Sequence, residues 1–320
     1  DNSIPLEEDM KKALTILLTV FGLMSVSVPA SADYPDGPVQ FVVPWPPGDF
    51  EDILTRWIAE DMEKATGMAA SVVNRPGGGD GPFPGALEVL AAPADGSVIG
   101  SFVIGVPIVG PRIDIGIQAD SFEPIGIFLT YPFVLAAGEN APYSNMAELA
   151  AHAKNNDVVL GHFGAGLVPT KASFAAAKSM GFEWADESAF DMLDCNSLSA
   201  GDADVINTTL ALIEPCLGKI KVLANIGEEP IAKLNGVKTL ADQAGINNVE
   251  LWNGLFVKKG TPQATKDKIA EIAKASMTSD RAKELMAESG ARIYWQDADA
   301  SAARIAADNA KFDELNAMLN

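Results

Sequence analysis

The chain has 320 residues, of which 48% are hydrophobic, and it contains 28 glycines and 20 prolines. This composition excludes a disordered chain and is typical of one or two globular domains with an ample core and many tight turns. Lys and Arg number 23 against 43 Asp and Glu, and the net charge of -20 argues against nucleic acid or an anionic membrane as a partner.

The N-terminal segment has the pattern of an export signal. Residues 10–32 read MKKALTILLTVFGLMSVSVPASA, with two lysines, an apolar run and a final Ala-Ser-Ala. This pattern predicts a secretory signal peptide that is cleaved after Ala32. Residues 1–9 place acids before the lysines, which disfavours export, so we interpret them as an expression remnant or an upstream misread start. No other stretch approaches the roughly 20 apolar residues of a membrane-spanning helix.

From Val39 onward, short apolar runs alternate with amphipathic segments. The runs VQFVVP, ASVVN and SVIGSFVIG are interleaved with ILTRWIAEDMEKATG and PGALEVLAAPADG. Strands that alternate with helices of this length indicate βαβ units and a largely parallel sheet. A second series of the same kind begins near Pro132, so we predict an α/β protein with two lobes of similar size.

The C-terminal tail has a different pattern. After LWNGLFVKKGTP come TKDKIAEIAKASMTSDRAKELMAES and DASAARIAADNAKFDELNAML, both with apolar residues at helical spacing and Lys and Glu between them. This spacing predicts two surface helices.

Catalytic and metal-binding signatures are scarce. The sequence has no G-x-S-x-G, H-E-x-x-H or C-x-x-C motif, and its only histidines are His152 and His162. His152 falls in a predicted helix, where a structural role is expected. His162 follows the strand VVL in the loop GHFGAG, and loops at the carboxyl ends of parallel strands bind ligands in α/β proteins. A pocket role and a structural role for His162 both stay open, as does a secreted hydrolase that uses it with a nearby acid.

The stretch PWPPGDFEDILTRW predicts a strand that turns through Pro and Gly into a helix. A helix start of this kind favours anions, because free N–H groups and the positive end of the dipole point out of it. This turn nevertheless carries Asp49, Glu51 and Asp52. Either the acids cap the helix, or the ligand is not a plain anion. The later run NRPGGGDG has no phosphate-loop spacing and no Lys, so we interpret it as a structural glycine loop.

Two cysteines, Cys195 and Cys216, are present in the chain. An exported protein meets an oxidising compartment, where a cysteine pair is more often bridged than free. We therefore favour a disulfide, and free thiols are the alternative.

Five segments, taken in order, resemble the periplasmic solute-binding receptors of tripartite tricarboxylate transporters, the Bug/TctC family. They are YPDGPVQFVVPWPPGDFEDILTRW, VVNRPGGGDGPFPGALEVLAAPADGSVIGS, GDADVINTTLALIEPCLGKIKVLAN, VKTLADQAG and LWNGLFVKKGTP. The resemblance covers nearly the whole chain after the signal peptide. It implies a type II periplasmic binding protein with two lobes, each a mixed, mostly parallel sheet flanked by helices. Residues 33–130 and 251–320 would form lobe 1, and residues 131–250 lobe 2.

The resemblance also implies the function. Such a receptor binds a small carboxylate or zwitterion in the cleft between its lobes and hands it to membrane permease subunits, as a monomer, without chemistry, cofactor or metal. A binding protein that serves a sensor domain is an alternative. The family's ligand loops map onto residues 47–51, 101–107 and 161–170, with a further pocket-facing segment at 204–207. The predicted ligand-binding residues are Trp45, Pro47, Gly48, Asp49, Phe50, Ser101, Gly105, Val106, His162, Gly164, Gly166, Thr170, Asp204 and Asn207.

The first of these loops departs from the family pattern. Where the family has Gly-Gly-Gly-Thr-Asp, this chain has Gly-Asp-Phe-Glu-Asp at residues 48–52. We expect Gly48 to let the backbone approach the ligand and Phe50 to form an apolar wall. Two like charges about 8 Å apart at an effective dielectric near 20 repel by about 2 kcal/mol, so Asp49 would penalise a lone carboxylate.

Three arrangements avoid this repulsion. The ligand carries an amino group, a metal ion such as Ca²⁺ bridges the carboxylate, or the acidic side chains turn outward while backbone N–H groups bind the anion. From the sequence we favour the third, because backbone donors do not depend on side-chain identity.

Overall fold

The computed structural model describes residues 34–247 and 249–320. The predicted signal peptide and the nine residues before it lie outside the described part of the chain. Eleven strands are described, in chain order β1 (Val39–Val43), β2 (Ala70–Asn74), β3 (Val98–Val103), β4 (Phe122–Thr130), β5 (Phe133–Gly138), β6 (Val159–His162), β7 (Asp186–Ala189), β8 (Val205–Thr209), β9 (Ile220–Ile226), β10 (Trp252–Lys258) and β11 (Arg292–Gln296).

The helices lie between these strands and at the C-terminus. They are α1 (Phe50–Thr66), α2 (Phe83–Ala91), α3 (Gly105–Val109), α4 (Met146–Ala153), α5 (Val168–Met180), α6 (Cys195–Ala200), α7 (Leu210–Ile213), α8 (Leu240–Ala244), α9 (Gln263–Met277), α10 (Asp280–Ser289) and α11 (Ala298–Leu319). Short 3₁₀ helices at Gly110–Arg112 and Glu214–Lys219 follow α3 and α7. Among the described residues, no helix has the length and hydropathy needed to cross a membrane.

The strands form two mixed sheets. The first has the order β11-β4-β10-β3-β1-β2 and the second the order β7-β6-β8-β5-β9. The predicted α/β fold with two lobes is confirmed. Each sheet is mixed, because β10 runs antiparallel to β3 and β4, β11 runs antiparallel to β4, and β5 runs antiparallel to β8 and β9. β10 re-enters the first sheet only after the whole second lobe, so no helical crossover within one sheet imposes a parallel direction on it.

Helix α1 shows how local sequence sets an element of the first lobe. Asp49 is its N-cap residue, and the helix ends at Gly67, whose φ of 73° is a left-handed conformation that favours glycine. Leu54, Ile58 and Met62 recur at helical spacing and are fully buried. The pattern predicted this helix because its caps and its apolar stripe are both local features.

The C-terminal tail differs from the prediction of two surface helices. Its first half forms α9 and α10, β11 then joins the edge of the first sheet, and α11 packs against both β4 and α5. Helix α11 buries Phe312 and Leu315, and its Asp308 accepts a hydrogen bond of 2.7 Å from Trp252 Nε1. The tail therefore contributes to the core of the first lobe and contacts the second.

A disulfide joins Cys195, the first residue of α6, to Cys216 in the 3₁₀ helix after α7. The Cα atoms lie 6.0 Å apart. The bond ties α6 to the segment that precedes β9.

Candidate functional site

A cavity lies between the two lobes, at the carboxyl ends of β1, β3, β6, β7 and β8. Its volume is about 70 Å³. The first lobe supplies an apolar wall that includes Trp45, Pro46, Val103, Ile104 and Trp252. The second lobe supplies the facing wall with Phe163, Leu167, Val168, Pro169 and Met192.

Aromatic side chains contact one another across this cavity. The Trp45 ring meets the Phe163 ring edge to face, with 5.4 Å between centroids. Phe133, which begins β5, lies 6.1 Å from Phe163 in a similar geometry. A contact of this kind is worth about 0.5–1.5 kcal/mol beyond the buried area, and the one between Trp45 and Phe163, which joins the two lobes, favours their closed arrangement.

Two acidic residues, Asp49 and Glu51, also line the cavity, and both side chains are buried. Asp49 Oδ1 accepts a bond of 2.8 Å from the Phe50 N–H, and Oδ2 accepts one of 2.8 Å from the hydroxyl of Thr209 in the second lobe. Glu51 Oε2 has no hydrogen-bond partner within the described part of the chain. Among residues 34–247 and 249–320, no Lys, Arg or His lines the cavity.

The third acid of this turn, Asp52, forms an ion pair with Arg56. Its carboxylate accepts bonds of 2.9 and 3.0 Å from Arg56, one turn later on α1, and one of 2.9 Å from Asn74 Nδ2. It does not line the cavity. Of the three acids in this turn, Asp52 is therefore paired outside the cavity, whereas Asp49 and Glu51 line it with no cationic side chain among the described lining residues.

The surroundings of the two cavity acids disfavour their charged forms. Burial raises the pKa of Asp49 from 3.8 to about 6, against the hydrogen bonds from Phe50 and Thr209, which favour the charged form. Burial also raises the pKa of Glu51 well above its usual value, and the charge of Asp49 adds to this shift. The pKa of Tyr131, whose hydroxyl lies beside Glu51, is raised by burial and by both carboxylates. A positive group in the cavity would reverse these penalties.

A buried hydrogen-bond network supports the first-lobe wall. Ser101 Oγ lies 2.7 Å from Thr55 Oγ1 and accepts a bond of 2.7 Å from Asn253 Nδ2. Asn253 Oδ1 in turn accepts from the hydroxyl of Tyr131 at 3.3 Å. Ser101 does not line the cavity, and its contacts with Thr55 and Asn253 support the wall from behind.

The structure places the predicted residues of the first lobe in different environments. Trp45, Asp49 and Gly105 line the cavity, whereas Pro47 and Gly48 are exposed. Gly48 has a φ of 116°, which favours glycine, and its N–H donates to Asp52 at 3.2 Å, so it serves the turn. The acids do not turn outward as we expected, because Asp49 caps the helix from inside the cleft.

Phe50 and Val106 are buried but do not line the cavity. Phe50 is the first residue of α1, and its ring packs in the core, where it cannot form the expected apolar wall. That wall is formed by Trp45 and Phe163.

His162 lies away from the cavity. It is the last residue of β6, and its side chain is buried against Glu187 of the neighbouring strand β7. Its Nδ1 accepts a bond of 2.9 Å from the N–H of Gly164. Burial lowers the pKa of His162, against the charge of Glu187. Within the described residues no hydroxyl or thiol is bonded to this ring, so the arrangement gives a hydrolase no nucleophile.

The other predicted residues of the second lobe stand around the start of α5 or at the far end of β8. Thr170 and Asn207 are buried, and Asn207 Nδ2 donates to Pro169 O at 2.8 Å, which holds the first turn of α5 against β8. Gly166 is exposed, and Gly164, with a φ of 150°, shapes the loop before α5. Asp204 is exposed at the opposite end of β8 and accepts from the Val159 N–H, so it lies outside the cavity.

The residue-level prediction missed Tyr131 and Thr209, and it placed Glu51 and Phe163 in ligand loops without naming them as ligand residues. Phe163 directly follows His162, and the side chains of successive residues in an extended chain point to opposite sides. The prediction of His162 as a ligand residue therefore passed over Phe163, which faces the cleft. Tyr131 marks the crossing between the lobes, a place that local sequence patterns do not identify.

Comparisons with known proteins agree with this geometry. Residues 54–318 match the sequence profile of the tripartite tricarboxylate transporter family receptor. The chain belongs to this receptor family. It is 27% identical, over 77% of its length and 76% of the relative, to the UPF0065 protein in the tcbD-tcbE intergenic region of a Pseudomonas species.

Two solved structures share the fold. The periplasmic binding protein BugD superposes with a TM-score of 0.77 at 25% identity, over 88% of this chain and 97% of that one. Rpa4515 from R. palustris, solved with adipate, has a TM-score of 0.79 at 20% identity, over 89% of this chain and 98% of that one.

Proposed function

We propose that the chain is the periplasmic receptor of a tripartite tricarboxylate-type transporter, which binds a small organic acid or zwitterion in its cleft and delivers it to membrane permease subunits. The observation that carries the proposal is the cavity that loops from both lobes enclose at the carboxyl ends of their strands. Open α/β sheets bind ligands in such crevices. We further propose that the receptor acts as a monomer, after its signal peptide is cleaved behind Ala32.

A ligand carboxylate has a favourable position on the second-lobe wall. Val168 and Pro169 are the first two residues of α5, and both line the cavity. Pro169 has no N–H, so the other N–H groups of the first turn and the positive end of the helix dipole stabilise an anion at this helix start. The adipate bound by the relative from R. palustris supports an organic acid as the class of ligand.

A thermal-shift screen tests this function. The panel contains adipate, malate, apolar α-amino acids, and the acids and amines that match those amino acids. A true ligand at 100 times its Kd stabilises the folded protein by about 2.7 kcal/mol, so Tm rises with its concentration. A panel in which no compound raises Tm at millimolar concentration would contradict the receptor function.

A cavity-filling variant shows whether the shift arises in the cleft. A Cβ at Gly105 would stand 3.0 Å from Leu167 Cδ2, so Gly105→Leu fills the cavity from the first lobe and should remove the shift. Gly37→Leu is the control, because a Cβ there meets nothing within 4 Å, and it should bind as the wild type does.

A further inference from the structure

The charge of the cavity does not match a ligand that consists of carboxylates alone. Asp49 and Glu51 are both buried at its first-lobe wall, and Asp191 stands at its second-lobe rim. Among the described residues, no cationic side chain lines the cavity to offset these acids. A ligand carboxylate placed beside the Asp49 carboxylate would be repelled, in a site where the low dielectric strengthens the repulsion.

The hydrogen-bonding capacity of the acids is only partly used. Asp49 accepts from the Phe50 N–H and from the Thr209 hydroxyl. Glu51 is 3% exposed, it lines the cavity, and its Oε2 has no partner within the described part of the chain. A buried acceptor without a donor is costly, and a ligand donor in the cavity would satisfy it.

We propose that Asp49 and Glu51 bind an ammonium group, so that the ligand of the cleft is a small zwitterion of the amino-acid type with an apolar body. This inference rests on the proposed receptor function and narrows its class of ligand. An ammonium group carries three N–H donors and a full positive charge, and its hydrogen bonds to carboxylates are charge-assisted.

The remaining walls fit the other parts of such a ligand. Trp45 and Phe163 close on one another across the cavity and leave apolar surface for a hydrocarbon body. The start of α5, at Val168, stands on the opposite lobe from the acids and suits the ligand carboxylate. The ligand would thereby join the lobes, with its ammonium group on the first and its carboxylate on the second.

A bridging metal ion is the competing explanation for two acids in a carboxylate site. Within the described residues, no group of three or more His, Cys, Asp or Glu side chains is placed to hold a metal ion. Hard cations such as Ca²⁺ take six to eight oxygen ligands, which Asp49 and Glu51 alone do not provide. The ammonium group needs only the two carboxylates that are present.

Calorimetry with matched compounds tests the inference. Valine, leucine and phenylalanine are each compared with the acid that lacks the amino group (3-methylbutanoate, 4-methylpentanoate, 3-phenylpropanoate) and with the amine that lacks the carboxylate. We expect at least one amino acid to bind tenfold or more tightly than its matched acid. Matched acids or adipate that bind as tightly as every amino acid would overturn the inference and leave the receptor function standing, whereas no binding by any compound would remove both.

Isosteric variants assign the effect to the two carboxylates. Glu51→Gln and Asp49→Asn keep the size of the side chain and remove its charge, and each should weaken amino-acid binding 10- to 100-fold, the usual effect of losing a charge-assisted hydrogen bond. Binding of the matched acid should be unchanged or stronger. Asp202→Asn, an exposed change of the same charge in the second lobe, is the control. Wild-type affinity for the amino acid in both cavity variants would show that the ammonium site does not exist.

Discussion

Asp49 caps helix α1 and also lines the cleft. The hydrogen bonds of the cap favour the charged form of its carboxyl, whereas burial in the cleft favours the neutral form. The Phe50 N–H and the Thr209 hydroxyl favour the carboxylate, but burial outweighs them and raises its pKa to about 6. Because this pKa lies above the usual 3.8, the folded protein holds the proton more firmly than the unfolded chain does. Stability from this group is present at low pH and is lost as the pH rises through about 6.

We therefore expect Asp49→Asn to stabilise the ligand-free protein at neutral pH. Asn keeps the capping acceptor, so the gain in unfolding free energy over the wild type should grow by about 2 kcal/mol between pH 4.5 and pH 7.5. Urea unfolding at both pH values measures the difference. Asp202→Asn, which changes an exposed acid, should show no such trend. A constant difference between Asp49→Asn and the wild type would mean that Asp49 is not titrating in this range.

The sequence identified the loop that carries Asp49 but not the direction of its side chains. Residues 44–52 were recognised as a turn into a helix from Pro, Gly and the acids, which are local signals. Whether Asp49 points inward depends on Thr209, which is 160 residues away and belongs to the other lobe. The spacing of residues within the loop carries no information about such a distant contact.

The same contrast between local and distant causes holds for whole elements. β1, α1, β2, α2 and β3 follow the predicted series, because alternation, caps and glycine turns are encoded within each segment. β11 was missed, since a five-residue strand between two long helices gives little periodic signal. The contact of α11 with α5 was missed as well. Helix α11 packs against elements of both lobes, so its apolar residues do not form a single stripe.

The disulfide acts at the scale of elements, since it links α6 to the 3₁₀ helix after α7. Its two cysteines are 21 residues apart in sequence, and closing a loop of that length restricts the unfolded chain by about 3 kcal/mol. We expect the double variant Cys195→Ser, Cys216→Ser to lose about this much unfolding free energy.

Thiol labelling of the unfolded, unreduced protein provides the direct check. No labelled thiol is expected before reduction and two after it. Two thiols before reduction would show that the bond does not form in the native protein. The reductant should lower the stability of the wild type and leave that of the double variant unchanged, which separates the bond from other effects of reduction.

At the scale of the molecule, the lobes are joined by two chain crossings and by α11, and they also meet across the cleft through polar contacts. The polar contacts include the Thr209–Asp49 bond and a bond of 3.3 Å from the Gly79 N–H to Asp191. The aromatic contact of Trp45 with Phe163 favours closure. Closure without a ligand, however, buries Asp49 and Glu51 without a cation, which costs free energy. We therefore expect the acid pair to bias the empty receptor toward an open form at neutral pH, and a cationic group on the ligand to remove the bias.

This balance predicts how the shape of the empty receptor responds to charge removal. The double variant Asp49→Asn, Glu51→Gln should be more compact than the wild type at pH 7.5 without ligand, because closure no longer has to bury or protonate two carboxylates. Small-angle scattering measures this as a smaller radius of gyration, and a bound ligand should bring the wild type to the same value, since hinge closure is a rigid-body motion. Asp202→Asn combined with Glu284→Gln removes two exposed charges and should leave the wild-type profile unchanged. Identical profiles for the empty wild type and the cavity variant would show that the lobes open or close for reasons other than the buried acids.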